Sequence, residues 1–226
     1  MALRQRAVAL EDKEERRHGL LDAAEALFLD QPHRVASVEE VARAAGVAKG
    51  TVYLYFPSKE QMLLALHERH TALYFAALMK RLEASRPAGF DEIWATTRES
   101  FVRRPGCLAL SSRCFGLMDR DIPTEAAVAF KMRVGQALAQ AGAGIERHFP
   151  ALGKGAGVAL LQHSYGLIVG LWQLMHPNER LGTALERAGL AMFRRDYERE
   201  VEQALRALWA GTMGTGTARP ARRAPR

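Results

Sequence analysis

The residues best suited to chemistry lie within 37–60, where cations, hydroxyl groups and a glycine follow one another closely. Lysine ammonium groups and tyrosine hydroxyls are side-chain donors that contact DNA phosphates. A threonine suits a phosphate or a thymine methyl group, and a glycine lets the backbone come close to either. The spacing therefore favours nucleic-acid binding by one set of residues: Lys49, Gly50, Thr51, Tyr53, Tyr55 and Lys59.

Two short helices must position these groups, and the same segment predicts both. Ser37 begins the first helix, because Glu40 stands three residues later and completes a capping box. Gly46 follows where a tight turn needs a positive φ angle. Val47 and Val52 supply apolar contacts between the helices. This is the spacing of a helix-turn-helix, whose second helix enters the major groove by its N-terminal end.

Several of these residues also have a structural interpretation. Tyr53 is compatible with a core position in which its hydroxyl is bonded internally, and Phe56 is predicted to be core. Lys59 is compatible with a solvated position in the first turn of the next helix. Ser37 and Ser58 are expected to be helix caps first and phosphate contacts second.

The complete run AGVAKGTVYLYFPSKEQM resembles the DNA-binding signature of the TetR family, and the resemblance extends over about residues 13–65. It implies an all-α homodimer in which an N-terminal three-helix helix-turn-helix domain binds double-stranded DNA. A C-terminal helical ligand-binding and dimerisation domain would follow, and family members are usually repressors released from a palindromic operator by a small-molecule effector. Transferred by position, the resemblance implies these DNA contacts: Ser37, Val38, Lys49, Gly50, Thr51, Tyr53, Leu54, Tyr55 and Lys59.

Position 54 departs from the family pattern, which often has a polar or aromatic residue there. Leu54 cannot form a hydrogen bond with a base, and an apolar contact with a thymine methyl group is the remaining form of readout. Lys49, Gly50 and Thr51 fall with Leu54 on the groove-facing part of the recognition helix.

Helical periodicity dominates the whole chain, and no segment predicts a strand. Proline and glycine breaks separate the expected helices, which lie near 13–30, 37–45, 48–56, 58–85, 90–103, 107–118, 124–147, 156–176 and 181–209. The predicted organisation is a flexible N-terminal arm, a helix-turn-helix DNA-binding domain, a helical effector-binding and dimerisation domain and a disordered basic tail, at 1–12, 13–57, 58–210 and 211–226.

The effector pocket cannot be located by a motif, but aromatic and polar residues on the C-terminal helices are candidates for its lining: Phe75, Trp94, Phe101, Phe115, Met118, His163, Tyr165 and Trp172. Most are expected to be ordinary core, because aromatic residues at helical spacing usually are. His163 is the best polar candidate, with an internally bonded histidine as the alternative. By the family resemblance, the helices at 156–176 and 181–209 form the homodimer interface.

Composition places few further limits on function. The chain has 226 residues, 48% hydrophobic and 25% charged, with a net charge of +7, as is ordinary for a globular protein. Its first seventy residues contain one more acidic residue than basic residues, so net charge does not identify the DNA-binding end.

The sequence shows no signal peptide pattern, and the two cysteines, Cys107 and Cys114, are expected to be reduced and buried. A redox sensor is the alternative for these thiols, and the expected location is the cytoplasm.

One segment is a candidate for membrane insertion, because no charged residue occurs from Gly155 through Asn178. That length is sufficient to cross a bilayer. Polar residues interrupt the segment, among them Gln162 and His163, and no second such segment exists. A buried interface helix with no membrane partner is therefore expected, and Gly166 and Gly170 would permit close helix approach.

An enzyme is the main alternative from another class. The glycines at 142, 144, 153 and 155 form incomplete phosphate-binding motifs without a preceding strand. His67 and His70 are spaced like metal ligands on a helix, but no third ligand is evident, and solvated histidines are expected there. Neither a metal nor a cofactor is predicted. A regulator without ligand sensing is a second alternative, against which the apolar helices beyond residue 85 argue mildly.

Overall fold

The computed structural model describes residues 2–32, 34–193 and 195–215, and every regular element within them is helical, which confirms the predicted all-α class. A π-helical turn follows α5 at Arg98–Val102, and a 3-10 turn precedes the last helix at Ala191–Phe193. The helices are α1 (Ala2–Asp30), α2 (Val38–Ala44), α3 (Lys49–Tyr53), α4 (Lys59–Glu83), α5 (Phe90–Thr97), α6 (Cys107–Arg120), α7 (Thr124–His148), α8 (Ala156–Met175), α9 (Glu179–Arg187) and α10 (Tyr197–Thr215).

The chain forms two compact units. Unit 1 comprises the residues up to His70 together with Pro105–Lys131, and unit 2 comprises Thr71–Arg104 with the residues from Met132 onward. Unit 1 thus contains α1, α2, α3 and α6, while α4 and α7 each contribute to both units. The domain boundary predicted between residues 57 and 58 stays a prediction.

The core of unit 1 joins the helix-turn-helix to α6. Val41 and Val52, on α2 and α3, are fully buried in the same cluster as Leu66 of α4. Leu110 and Cys114 bring α6 into this cluster. The small helices α2 and α3 are therefore held in one apolar cluster that also contains residues of α1, α4 and α6, because neither is long enough to be stable alone.

The two cysteines lie on α6 as buried thiols and form no disulfide with each other, as expected. Burial raises the pKa of the Cys114 thiol to about 12, so its thiolate form is scarce near neutral pH. Since the thiolate is the reactive form, a redox role for Cys114 is disfavoured.

The histidine pair on α4 is buried, and the expectation of solvated histidines is wrong. His67 and His70 are 4% and 1% exposed. His70 Nε2 lies 2.7 Å from Glu25 Oε1 of α1, and the same carboxylate forms an ion pair with Arg69. The His67 ring packs against Phe130 with centroids 5.6 Å apart. Within the described residues, no three His, Cys, Asp or Glu side chains are grouped as metal ligands.

We expect unit 1 to lose stability on acidification because of His67. Burial, with the nearby His70 and Lys131, lowers the pKa of His67 from 6.5 to about 4. Between these values the unfolded chain binds the proton more readily than the folded one, so stability is lost as the pH falls. Denaturant unfolding should give a free energy about 2 kcal/mol lower at pH 5 than at pH 7 from this group. His67→Leu should remove that part of the pH dependence, and an unchanged slope in the variant would contradict the assignment.

The core of unit 2 depends on a close approach of α7 and α8. A Cβ atom added to Gly157 of α8 would overlap the backbone carbonyl of Gly142 on α7, and one added to Gly142 would lie 2.7 Å from the Val158 nitrogen. Around this crossing the cluster of unit 2 buries Leu78, Ile145 and Trp209, among others. Gly142, an incomplete phosphate motif in the sequence, therefore serves helix packing.

Both predicted irregular ends need correction. The flexible arm expected at 1–12 is helical from residue 2, because α1 begins at Ala2. No proline or glycine occurs before Gly19, and residues of high helix propensity fill the segment. The start of the disordered tail was predicted too early, at residue 211. Helix α10 continues to Thr215, and Met213 packs against the core of unit 2. The rest of that tail, 216–226, lies outside the described residues.

The single helix expected at 181–209 is two helices, α9 and α10, separated by a turn. Gly189 has a φ angle of 70° and ends α9. Its N–H donates to the Glu186 carbonyl at 3.0 Å, and the N–H of Leu190 donates to the Leu185 carbonyl at 2.9 Å. These two bonds form a Schellman motif, which turns the chain out of the helix.

Candidate nucleic-acid interface

Helix α2 begins at the capping box that the sequence predicts. The Ser37 hydroxyl accepts a hydrogen bond from the Glu40 N–H at 3.2 Å, and a Glu40 carboxylate oxygen accepts from the Ser37 N–H at 2.8 Å. Arg34 donates to both oxygens of the same carboxylate at 2.7 and 2.8 Å. The guanidinium of Arg34 and the bonds from Ser37 hold the pKa of Glu40 far below its usual range. This network stays ionised at physiological pH and fixes the start of α2.

The turn between α2 and α3 depends on Gly46. Its φ angle is 68°, a left-handed conformation that side chains with a Cβ rarely adopt. The N–H of Gly46 donates to the Arg43 carbonyl at 3.3 Å, and that of Val47 donates to the Ala42 carbonyl at 2.9 Å. This Schellman motif confirms the helix-turn-helix geometry expected from the sequence.

Helix α3 is anchored by one face and exposed on the other. Val52 is fully buried, and Phe56 just beyond the helix is 3% exposed, as the sequence predicts. On the opposite side Tyr53 is 48% exposed and Leu54 is 78% exposed. The exposure of Tyr53 excludes a core role for this ring in the protomer. A leucine as exposed as Leu54 is available for apolar contact with a partner.

Gly50 lies in the first turn of α3, and the protein itself has no requirement for a glycine there. Its φ angle is not positive, and a Cβ atom added to it would have no neighbour within 4 Å. Glycine lowers helix stability by about 1 kcal/mol relative to alanine. Neither backbone conformation nor internal packing explains the residue. Gly50 thus leaves the start of α3 open to the solvent side, the end by which a helix-turn-helix enters the major groove.

The lysines beside this surface have acidic neighbours. Lys49 Nζ lies 4.0 Å from a carboxylate oxygen of Glu39, and Lys59 Nζ lies 3.7 Å from one of Glu60. All four side chains are at least partly exposed. Exposed ion pairs contribute little stability and exchange readily, so both ammonium groups remain available to phosphates.

The structure places the predicted DNA contacts on one small helical unit, with differing exposure. Ser37, Lys49, Gly50, Tyr53, Leu54 and Lys59 are exposed, and Thr51 and Tyr55 are half-buried. Val38 differs, because its side chain is 7% exposed and belongs to the core of unit 1. Any contact of Val38 with DNA is therefore limited to its main chain. Sequence reasoning missed Arg34, although an arginine three residues before a helix cap was visible.

Three of the predicted effector residues are buried in unit 2: Phe75, Trp94 and Phe101. The ring of Tyr74 lies 5.3 Å from those of both Phe75 and Phe101, and Phe101 lies 5.9 Å from Tyr165 of α8. Sequence reasoning missed Tyr74, because helical spacing does not reveal which of two adjacent rings faces the next helix.

The remaining predicted effector residues lie elsewhere. Phe115 and Met118 belong to α6 in unit 1, where Phe115 is 44% exposed and Lys131 lies over its ring. His163 is exposed on α8. The Trp172 ring stacks on His176 with centroids 5.0 Å apart. The aromatic cluster of unit 2 thus consists of Tyr74, Phe75, Phe101 and Tyr165, with Trp94 on the same helical segment as Phe101.

Comparison with known proteins agrees with this geometry. The family model described as "Bacterial regulatory proteins, tetR family" matches residues 20–66, and that described as "Tetracyclin repressor-like, C-terminal domain" matches residues 68–216. The HTH-type transcriptional regulator EthR of Mycobacterium tuberculosis is 34% identical over 93 residues, 41% of this chain and 43% of EthR. The HTH-type transcriptional activator FasR of Mycolicibacterium smegmatis is 41% identical over 58 residues, 26% of each chain. The chain thus matches less than half the length of these curated relatives.

Solved structures share the fold at low sequence identity. SmeT, the repressor of the Stenotrophomonas maltophilia multidrug efflux pump SmeDEF, aligns with a TM-score of 0.53 and 22% identity over 86% of this chain and 89% of SmeT. A TetR-family regulator from Streptomyces coelicolor aligns with a TM-score of 0.55 and 22% identity over 87% of this chain and 99% of its own. Because the C-terminal family model alone matches more than half of the chain, the protein belongs to the TetR family of bacterial regulatory proteins.

Proposed function

We propose that this protein is a sequence-specific DNA-binding transcriptional regulator that represses by binding a palindromic operator as a homodimer and is released by a small ligand. The observation that carries the proposal is the exposed leading end of α3, Lys49–Thr51, with a glycine that the protein's own fold does not need. No enzymatic role is proposed, since the matched families and relatives are transcriptional regulators.

The groove contacts are assigned to α3, and the phosphate contacts to its surroundings. Gly50 permits close approach of the backbone, and Thr51 and Leu54 present a hydroxyl and an apolar surface to base edges. Phosphates are bound by Lys49 and Tyr53 with Tyr55 and Lys59, and by the N-terminus of α2 at Ser37 and Val38. Backbone N–H groups at a helix N-terminus favour anions.

We assign DNA reading to residues 13–57 and effector binding with dimerisation to residues 58–210. Helix α6 lies in the second of these segments, yet Leu110 and Cys114 pack in the same core as Val41 and Val52. Close-packed interiors do not deform smoothly, so a shift of α6 changes the packing of α2 and α3. A ligand that prefers one position of α6 thereby changes DNA affinity by its differential affinity for the two states.

The homodimer is assigned to α8 with α9 and α10. Within the described residues, α8 is the one helix long and apolar enough to cross a membrane by length and composition, but only 28% of its apolar window is buried in the protomer. Gly166 and Gly170 lie on its exposed side with no atom within 4 Å of an added Cβ. We therefore propose that a second α8 covers this face, in a cytoplasmic protein with no membrane partner.

Leucine at position 166 is expected to break the dimer without unfolding the protomer. The added side chain meets open space within the protomer but would occupy the gap that close helix approach requires. Light scattering after gel filtration should show a dissociation constant raised about a hundredfold for Gly166→Leu. Gly116→Leu, at an exposed glycine of α6 that is equally open, should remain dimeric. If both variants form dimers of equal stability, the dimer interface does not include Gly166.

Selection of genomic fragments with the purified protein tests the function as a whole. We expect enrichment of a two-fold symmetric site whose half-sites lie one helical turn of DNA apart, about 34–36 Å, or a multiple of that spacing. Transcripts of the adjacent gene should rise when the regulator gene is deleted. Binding that is equal on all sequences, or a fall in the transcript, would contradict the proposed repressor.

A further inference from the structure

We propose that the ligand of unit 2 is a neutral, largely apolar molecule carrying a carbonyl-type oxygen, and that this oxygen accepts a hydrogen bond from the indole Nε1–H of Trp94. The inference rests on the proposed function only in treating that ligand as the effector. The binding chemistry itself is argued from α4, α5 and the π-helical turn.

Trp94 carries a buried donor that the protein does not satisfy. The side chain is 4% exposed, and its Nε1 atom has no hydrogen-bond partner among the described residues. Buried polar groups are almost always hydrogen-bonded in folded proteins, so an exception points to a missing partner. An indole nitrogen donates and does not accept. The missing partner must therefore present an acceptor.

A second buried tryptophan in the same unit shows the usual arrangement. Trp209 is 3% exposed, and its Nε1–H donates to the Ser164 hydroxyl oxygen at 3.0 Å. That hydroxyl in turn donates to the Leu160 carbonyl at 2.7 Å. The core of unit 2 thus satisfies the indole of Trp209 with its own side chains and leaves the indole of Trp94 without a partner.

Polar atoms near Trp94 along the helix are also weakly satisfied. Thr97 lies three residues after Trp94 and therefore on the same side of α5. Its Oγ1 is 3.4 Å from the Tyr74 hydroxyl, longer than the usual 2.7–2.8 Å between two hydroxyl oxygens. Burial raises the pKa of Tyr74, so this hydroxyl stays neutral. The Thr97 and Tyr74 hydroxyls are therefore available for a stronger bond.

Aromatic rings and an irregular helix adjoin these groups. Phe101 follows Trp94 by seven residues and contacts the rings of Tyr74 and Tyr165. It lies in the π-helical turn, where the Arg103 N–H donates to the carbonyl of Arg98 five residues back at 2.8 Å. Single π-helical turns occur frequently at functional sites. A flat apolar body in the ligand would pack favourably against such rings.

The charge of the ligand follows from the same residues. Trp94, Thr97, Tyr74 and Phe101 are uncharged, and a buried ion without a counter-ion is strongly unfavourable. A carboxylate or ammonium ligand is therefore not expected at this position. A ketone, amide or ester with an aromatic or alicyclic body has the required chemistry.

A matched pair of probes tests the inference on the full-length protein. Acetophenone and ethylbenzene both carry a two-carbon side chain on a benzene ring, and only the first has a carbonyl oxygen. We expect wild-type protein, titrated by NMR with ¹⁵N-labelled tryptophan, to bind acetophenone about tenfold more tightly than ethylbenzene. The Trp94 indole N–H signal should move on addition of acetophenone, while that of Trp209 should stay in place. Trp94→Phe should lose the preference for acetophenone.

The outcomes separate the inference from the proposed function. Equal affinity of the wild type for both probes, binding of neither, or acetophenone binding without a shift of the Trp94 signal would overturn the inference. The NMR arm uses wild-type protein, so it decides the matter even when Trp94→Phe does not fold. Operator binding is measured separately. If the protein still selects specific DNA but does not prefer acetophenone, the proposed regulator stands and the inference about its ligand is wrong. If it prefers acetophenone but selects no specific DNA, the ligand site stands and the proposed regulator is wrong.

Discussion

Replacing Gly50 by leucine is expected to weaken binding to the selected operator about a hundredfold, or about 3 kcal/mol. The protein has open space at this position, so the change leaves the fold intact and the side chain protrudes toward the groove. Fluorescence anisotropy with the operator fragment measures the affinity, and thermal unfolding measures stability. The melting temperature should be equal to or above that of the wild type, because leucine has the higher helix propensity.

Gly19→Leu provides a matched control for the substitution at Gly50. Gly19 is also an exposed helical glycine of unit 1, and its added Cβ would likewise have no neighbour within 4 Å. It lies on α1 rather than at the leading end of α3. Operator affinity should therefore remain within about twofold of the wild type. Equal losses in both variants would indicate a general surface effect and remove the special role of Gly50.

Gly157→Ala is expected to lower the free energy of unfolding by about 3 kcal/mol, the upper range for overpacking a core. The new methyl group would overlap the Gly142 carbonyl, which is backbone on a neighbouring helix and has no rotamer to change. Relief requires α7 and α8 to move apart. For a chain of this length the corresponding fall in melting temperature is about 10 °C, measurable by calorimetry.

Gly135→Ala tests whether that loss comes from the helix crossing. Gly135 lies on α7, is exposed, and has open space around an added Cβ. The same chemical change should raise stability there by up to about 1 kcal/mol, because alanine is the better helix former. A loss of similar size at both positions would mean that the α7–α8 crossing is not the source.

The start and turn of the helix-turn-helix were predictable because local chemistry determines both. The side chains of Ser37 and Glu40, three residues apart, each accept a hydrogen bond from the backbone N–H of the other residue. Gly46 adopts the one backbone conformation that glycine tolerates best. Such features depend on residues a few positions apart, and the sequence contains all of them. The same holds for Phe56, which had to be buried to close the core beneath α3.

The division between α9 and α10 shows where periodicity fails. Apolar residues at Leu185, Ala188 and Met192 continue the spacing of three and four into α10, so a single helix was expected. Gly189 was the visible signal of a break, but an isolated glycine is tolerated within many helices. Only the bonds from Gly189 and Leu190 to carbonyls of α9 establish it as a terminus.

Other features had no sequence signal because they depend on contacts between distant segments. Nothing near Leu110 or Cys114 indicates that α6 shares the core of α2 and α3 in unit 1. The burial of His67 requires Phe130, which lies 63 residues away in the sequence. The π-helical turn at Arg98–Val102 has no compositional mark. The burial of His67 underlies the predicted acid sensitivity, and the place of α6 in the core of unit 1 underlies the proposed coupling.

The carboxylates beside the lysines of α3 and α4 affect how the protein finds its site. Each ammonium group on this face, at Lys49 and Lys59, has an acidic neighbour, so the net positive charge that these pairs present to DNA from a distance is small. Attraction from this face to random sequence is correspondingly weak. The regulator will spend little time sliding on irrelevant stretches of the chromosome and will search mainly by repeated encounters from solution. Occupancy then depends on the fit of α3 in the groove and on how many copies the cell makes.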